Sequence, residues 1–371
     1  MEHLGAYTDL VHAAARHQGE RPPVKPGPDL RNAIGDVLGF GALPAVPADV
    51  RTDRTWSRDG VAVEEVSWSV GYGPRTQAWV LRPGGATGPL PGVVALHSHD
   101  GVKAYGKEKI ADGPDGSVAE TVARMRDQAY GGRAYANALA REGFVVVVPD
   151  AFCWSSRRFP LETMPERIRL LGAQSAAAAG DGPEEAYERS ARLHEDLVAK
   201  YCSVLGTTLA GVVAYEDRVA VAYLRSRPDV AGESVGCVGL SGGGCRSALL
   251  QATCDDIGAA VVVGMMSTHA ALLDRLVDNH TWMFFPPGLA RLCDWPDLAA
   301  SRAPAPLLVQ YDRDDQLFTL DGMKAADAAI AEHYRQACAP EAYVGEFYDG
   351  PHKFDVAMQE SAFAWLRAQL A

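Results

Sequence analysis

The stretch that most constrains this chain is Gly239-Leu240-Ser241-Gly242-Gly243. Residues 234–239 read as a short apolar strand, and residues 244–253 as a helix with small residues on its first turn. A serine set between glycines at a strand-to-helix junction belongs to a sharp, strained turn. Neighbours without Cβ atoms let strand and helix approach closely while the hydroxyl stands clear. The start of the helix then aims free N–H groups and the positive end of its dipole at any negative oxygen formed beside the serine. Ser241 is the candidate nucleophile, and the Gly242 N–H the first candidate donor to an oxyanion.

Around this turn the chain alternates uniformly apolar strands with helical stretches. Strands are expected at residues 91–97, 143–149, 235–240, 259–264, 306–311 and 342–348. Helices are expected at 132–142, 208–225, 244–253, 321–337 and 353–370. Continuous apolar strands separated by helices predict a mostly parallel central sheet with helices on both faces, an α/β fold. An alternating stretch at 61–70 and a second at 76–81 read as an antiparallel pair that makes the sheet mixed. Residues 1–55 read as an N-terminal helical extension, with helices near 10–17 and 30–38, and residues 56–371 as the catalytic domain.

Two connections, at about 150–205 and 265–302, are too long for simple crossovers and leave strands at their carboxyl ends, so they are expected over the active site. The second carries Met266, His269, Trp282, Met283 and Phe284, which, with His97, are candidates for the pocket wall. Arg157, Arg158 and Lys103 are expected as solvated charge at its rim.

A serine nucleophile needs a base and an acid from turns after later strands. His352, in Gly350-Pro351-His352 after the last strand, stands where that base is required. The strand before it ends in Asp312-Arg313-Asp314-Asp315, so three carboxylates compete for the acid. A second oxyanion donor is expected from the turn His97-Ser98-His99.

With these pieces in place, residues 60–371 resemble the α/β-hydrolase superfamily, and within it esterases similar to dienelactone hydrolases and acetyl xylan (cephalosporin C) deacetylases. The resemblance implies an acid turn of the form Gly-x-x-Asp with an apolar residue three places on, which selects Asp315 ahead of Phe318 and puts Asp312 in the glycine slot. It also implies that the third residue of a His-Gly-x turn donates its N–H to the oxyanion, here His99, with Ser98 where glycine is usual. The implied activity is hydrolysis of a carboxylic ester of a small molecule, with a short acyl group such as acetyl, through an acyl-enzyme. Peptides, thioesters, lactones and C–C bonds are alternatives on the same scaffold. No cofactor and no metal are expected.

Two readings compete. His97-x-His99 with Asp315 also suits metal ligands in a barrel amidohydrolase, but His269 and His280 do not follow apolar strands, and the elbow and His352 are left unexplained. A non-catalytic binder on the same scaffold leaves the serine, acid and histidine without purpose. The net charge of −12 points away from nucleic acid and anionic membranes. Seven scattered cysteines without a C-x-x-C pair, and no basic-then-apolar leader, give a cytoplasmic expectation, and the N-terminal extension leaves a homo-oligomer open.

Overall fold

A computed structural model describes residues 2–18, 25–40 and 43–370. Among these residues one sheet holds β1 (Ala48–Arg58), β2 (Val61–Ser69), β3 (Thr76–Pro83), β4 (Leu90–Leu96), β5 (Val145–Pro149), β6 (Val230–Leu240), β7 (Ile257–Val263), β8 (Leu307–Asp312) and β9 (Tyr343–Tyr348). Their spatial order is β1-β2-β3-β5-β4-β6-β7-β8-β9. The pairs β1–β2, β2–β3 and β3–β5 are antiparallel, and every pair from β5 onward is parallel. The chain moves outward from β4 to β5, then returns to lay β6 on the other side of β4. A crevice opens at such a reversal, outside the carboxyl ends of the strands. The turns after β4 and β6, which carry His97–His99 and Ser241, are therefore neighbours.

The apolar strands are apolar because both faces are covered. Val94 and Leu96 of β4, Val145 and Val147 of β5, and Ala260 and Val262 of β7 join one core. Their alternates, Val93, Ala95, Val146, Val148, Val261 and Val263, join a second core on the opposite face. The first core is closed by helices Pro28–Leu38, Leu209–Arg225, Gly242–Thr253, Trp295–Ala299 and Leu320–Gln336. The second is closed by Tyr135–Arg141 and Val356–Leu370. Among the described residues no single helix is long and apolar enough to cross a membrane.

The N-terminal region differs from the expected extension. The sheet begins at Ala48, so a boundary at residue 55 cuts through β1. The helix Pro28–Leu38 buries Leu30, Ile34 and Leu38 in the first core, and Arg31 donates to the Ala252 carbonyl at 2.9 Å. Residues 1, 19–24 and 41–42 of that extension lie outside the described residues.

The central helix Leu209–Arg225 carries two adjacent buried carboxylates, each matched by an arginine from elsewhere. Arg157, at the start of the first insertion, pairs with Glu216. Its guanidinium also reaches the Pro74 carbonyl in the turn between β2 and β3. Arg157 is therefore an internal strut, not the solvated rim charge expected of it. Arg246, one turn into the helix after Ser241, holds Asp217 through two bonds of 2.9 and 2.6 Å and donates to the His97 carbonyl at 3.2 Å. This guanidinium binds the elbow helix, the central helix and the turn after β4 at one point. Arg246→Met leaves Asp217 buried and unpaired and is expected to cost about 3–5 kcal/mol. Chemical denaturation measures this, and the double variant Arg246→Met/Asp217→Leu is expected to recover most of the loss. An Arg246→Met protein as stable as the parent contradicts the assignment.

Candidate active site

Ser241 sits at φ 58°, ψ −116°, a conformation that costs a non-glycine residue roughly 1–3 kcal/mol. Its N–H donates to the Val263 carbonyl at 2.8 Å and its carbonyl accepts from Cys245 N–H at 2.8 Å, so both neighbouring elements hold the strain. The surrounding glycines are steric necessities. A Cβ on Gly239 would lie 2.5 Å from the Gly243 carbonyl carbon, and one on Gly243 would lie 2.2 Å from the Leu96 oxygen. A Cβ on Gly242 would lie 2.7 Å from the His99 nitrogen. The backbones of Gly242 and His99 are therefore in contact beside Ser241. The Gly242 N–H opens its helix and has no acceptor within it. Among the described residues the His99 N–H also donates to no protein group.

The turns after β8 and β9 are zipped together: Arg313 N–H donates to the Tyr348 carbonyl, Asp314 N–H to the Gly350 carbonyl, and Gly350 N–H to the Asp314 carboxylate at 3.0 Å. This pairing brings Asp315 Oδ2 to 2.6 Å from His352 Nδ1. Asp315 Oδ1 accepts from Leu317 N–H at 2.8 Å, which fixes the carboxylate. Of the three competing acids, Asp315 is the one bonded to His352, while Asp314 braces the loop. With Nδ1–H donating to Asp315, the lone pair of His352 lies on Nε2, which has no protein partner. Ser241 and His352 line the same cavity, of about 560 Å³, without a hydrogen bond between them. Proton transfer therefore needs Nε2 to close on the serine hydroxyl, as such contacts commonly do when substrate binds.

Asp312 is a second carboxylate in this cluster. Its Oδ2 accepts from Lys353 N–H at 2.9 Å, while Oδ1 is buried without a partner. Burial pushes Asp312 up to about 7, against the Lys353 hydrogen bond and the His352 charge. Burial also pulls His352 down, but the hydrogen bond and charge of Asp315, with Asp312 and Asp100 behind, hold it above the ordinary imidazole value. Ligand atoms of Asp312, Asp315 and His352 lie within 4.8 Å of one another. The 2.6 Å between Asp315 and His352 is a hydrogen bond, too short for two ligands of one ion, which stand roughly 3 Å or more apart.

The turn after β4 is held from below. His97 is buried, its Nε2 accepts from Ala151 N–H at 3.2 Å, and its Nδ1–H donates to the Ser98 carbonyl at 3.0 Å. Burial, with Arg246 and Lys109 nearby, keeps its pKa well below the usual imidazole range. His97 is thus a neutral brace between two turns and does not line the cavity, contrary to expectation. Ser98, in place of the usual glycine, receives a hydrogen bond from Tyr130 at 2.7 Å and passes its own to Asp100.

The insertions form the rest of the wall. Helices Glu166–Ala179 and Pro183–Val204 belong to the first, and the second bears Trp282 and Phe284. Sequence reasoning missed Glu195, the residue that ties these parts together. Its buried carboxylate accepts from His99 Nε2 at 3.1 Å, Lys103 Nζ at 2.5 Å, Thr281 Oγ1 at 2.5 Å and Trp282 N–H at 3.2 Å. His280 was likewise missed as wall. It packs between Phe284 and Phe318, bonds the Leu317 carbonyl at 3.1 Å, and is drawn by burial down to about 4, so it stays neutral.

Trp282 and Phe284 line the cavity, whereas Met266 and Met283 are fully buried behind the wall because apolar side chains there pack into the first core. His269 is drawn off to Asp294 at 3.0 Å, at a short helix outside the cavity. Lys103, expected at the rim, is buried against Glu195, and Arg158 donates to the Ala104 carbonyl at 3.1 Å.

Two pH effects follow from the carboxylate pair. A base with its pKa raised loses activity as pH falls, so the acid limb of kcat/KM is expected to have its midpoint above about 6.5. Asp312→Asn removes a negative charge near His352 and moves that midpoint down. Stability responds oppositely: a carboxyl near 7 in the fold and about 3.9 unfolded stabilises the fold below about 4, and this is lost as pH rises through 7. Asp312→Asn is therefore expected to raise Tm at pH 8 and to leave it unchanged at pH 4. A limb unmoved by the substitution, or no gain in Tm at pH 8, contradicts this placement of the charges.

No family model matches the chain. It is 22% identical over 306 residues, 82% of this chain and 87% of the other, to the protein named "Putative hydrolase YtaP" of Bacillus subtilis (strain 168). A glucuronoyl esterase from Solibacter usitatus superposes with a TM-score of 0.59 at 14% identity, covering 93% of this chain and 92% of that one. Acetyl xylan esterase 1 from Thermoanaerobacterium sp. JW/SL YS485 superposes with a TM-score of 0.54 at 14% identity, covering 96% and 98%. At such identities the likeness is one of architecture. Together with the mixed sheet, its strand order and the elbow after β6, it establishes that the chain has the α/β-hydrolase fold.

Proposed function

We propose that this protein is a serine hydrolase of carboxylic esters, with Ser241 as nucleophile, His352 as general base and acid, and Asp315 as the residue that orients and supports the imidazole. The observation that carries this reading is the Asp315–His352 bond of 2.6 Å, which leaves Nε2 as an unpaired lone pair on the cavity that Ser241 also lines. The names of the two superposed esterases support the same reading.

His352 Nε2 takes the proton of Ser241 as Oγ attacks the ester carbonyl carbon. The electron pair of the carbonyl moves onto its oxygen, which the N–H groups of Gly242 and His99 receive. As the carbonyl reforms, the C–O bond to the alcohol breaks and His352 returns the proton to that oxygen. Water, deprotonated by the same nitrogen, then releases the acid and restores the serine. Asp315 keeps Nδ1 protonated throughout, so Nε2 always offers the lone pair.

Met265, Phe284 and Phe318 give the cavity an apolar part suited to the acyl group, and Phe284 is stacked 4.7 Å from Trp295, which leaves it little freedom. Arg192, Asp196, Asn279 and Thr281 add polar groups to the lining beside Leu193 and Trp282. A short acyl group on a polar alcohol suits this arrangement better than a long lipid chain.

Ser241→Ala is expected to abolish turnover of p-nitrophenyl acetate and labelling by a fluorophosphonate probe, with Tm nearly unchanged. Asp315→Asn is expected to lower kcat by about 10²–10⁴, far more than Asp314→Asn. Along a p-nitrophenyl ester series, kcat/KM should fall as the acyl chain lengthens. Activity in Ser241→Ala removes the serine from the mechanism, and a steady rise toward long chains removes the acyl-size reading.

A further inference from the structure

The segment after β4 presents Lys103, Lys107 and Lys109, and all three are buried. Two are matched to carboxylates that account for them: Lys103 binds Glu195, and Lys107 binds Asp150 at 2.9 Å. Lys109 is placed differently. It is fully enclosed, and its Nζ donates to two successive backbone carbonyls, those of Ser98 at 2.9 Å and His99 at 3.0 Å. The Asp100 carboxylate stands 3.4 Å away and supplies a counter-charge. The backbone of Lys109 is itself fixed, since Arg126 donates to its carbonyl at 3.1 Å and to those of Glu108 and Ala111 at 2.7 Å each.

The Ser98 carbonyl and the His99 N–H belong to one peptide unit. In a trans peptide these two groups point in opposite directions. An ammonium that, together with the His97 Nδ1–H at 3.0 Å, draws the carbonyl inward therefore turns the N–H outward, on the side where a Cβ on Gly242 would touch the His99 nitrogen. A cation on the amide oxygen also withdraws electron density from the nitrogen and strengthens its N–H as a donor. Ser98 completes the frame, its hydroxyl joining Tyr130 to the Asp100 carboxylate that faces Lys109.

We propose that Lys109 is a positioning residue for the oxyanion: it orients and polarises the Ser98–His99 peptide so that the His99 N–H is preset for the negative oxygen of the tetrahedral intermediate. The inference rests on the reading above, in which His99 and Gly242 supply the two donors. Lys109 does not touch substrate. Its contribution is expressed only when the carbonyl oxygen becomes negative, so it affects kcat and not ground-state binding.

The test compares the wild type with Lys109→Met and Lys109→Gln, using p-nitrophenyl acetate as substrate and a short alkyl trifluoromethyl ketone as inhibitor. The ketone forms a tetrahedral adduct with a serine and places an oxyanion in the same site. The expected result is a fall in kcat of about 10–100-fold with KM within about twofold, and a proportional rise in the ketone's Ki. Lys109→Gln, whose neutral amide can still donate inside the fold, carries the comparison if Lys109→Met does not fold, as judged by circular dichroism and Tm. A folded variant with parental kcat, or a loss confined to KM with ketone affinity unchanged, overturns the proposal. Ser241→Ala separates this from failure of the underlying reading. If that variant keeps turnover, or the parent does not bind the ketone, the serine mechanism falls and Lys109 with it. If serine chemistry holds and the Lys109 variants are indifferent, only the role of Lys109 falls.

Discussion

The site depends on the absence of side chains around one strained residue. Ser241 holds a positive φ because hydrogen bonds to Val263 and from Cys245 hold it on both sides, and because the glycines about it admit four close backbone approaches. Gly239 admits the returning helix, Gly243 the end of β4, and Gly244 the end of β7, where a Cβ would lie 2.6 Å from the Val263 oxygen. Gly242 admits the turn after β4 that carries His99. Each contact is shorter than a methyl group allows, so the proposed nucleophile, its proposed donors and the floor under His352 are fixed by one steric condition. Gly264 extends it, since a Cβ there would lie 3.1 Å from the His352 ring.

Around this centre the chain places charges that are individually costly to bury and mutually satisfied. Arg246 and Asp217 brace the elbow, Lys109 and Asp100 the turn after β4, and Glu195 the insertions. Removing one partner of such a pair is far more damaging than replacing both. The geometry of the cavity is therefore held by interactions that fail abruptly, which suits a site where small displacements of a donor cost rate. Glu195 has the widest reach: one carboxylate joins the segment after β4 through His99 and Lys103 to the second insertion through Thr281 and Trp282.

What could be read in the sequence was what local pattern encodes. The parallel strands were legible because burial on both faces makes them uniformly apolar, and the turns bearing Ser241, Asp315 and His352 follow directly from them. β1 was not legible: it is an edge strand, exposed along most of its length, and carries no alternation to mark it. The buried charges were hidden for another reason. Lys103 meets Glu195 92 residues away, Lys107 meets Asp150 43 residues away, and Arg157 meets Glu216 59 residues away. A charged run whose partners are remote looks like solvated surface until the chain is folded. The same limit affected the second insertion, where apolar character marked Met266 and Met283 for burial but could not say whether they would face the cavity or lie behind it.

In the proposed mechanism the substrate's acyl group passes through a covalent bond to Ser241. Rapid acid quench of the protein during turnover of p-nitrophenyl acetate, followed by proteolysis and mass analysis of the peptides, tests it most directly. The expected result is an acetyl group on the peptide containing Ser241, appearing before steady state and absent after the substrate is consumed. Turnover without any acylated peptide, or an acetyl group confined to another residue, would contradict it.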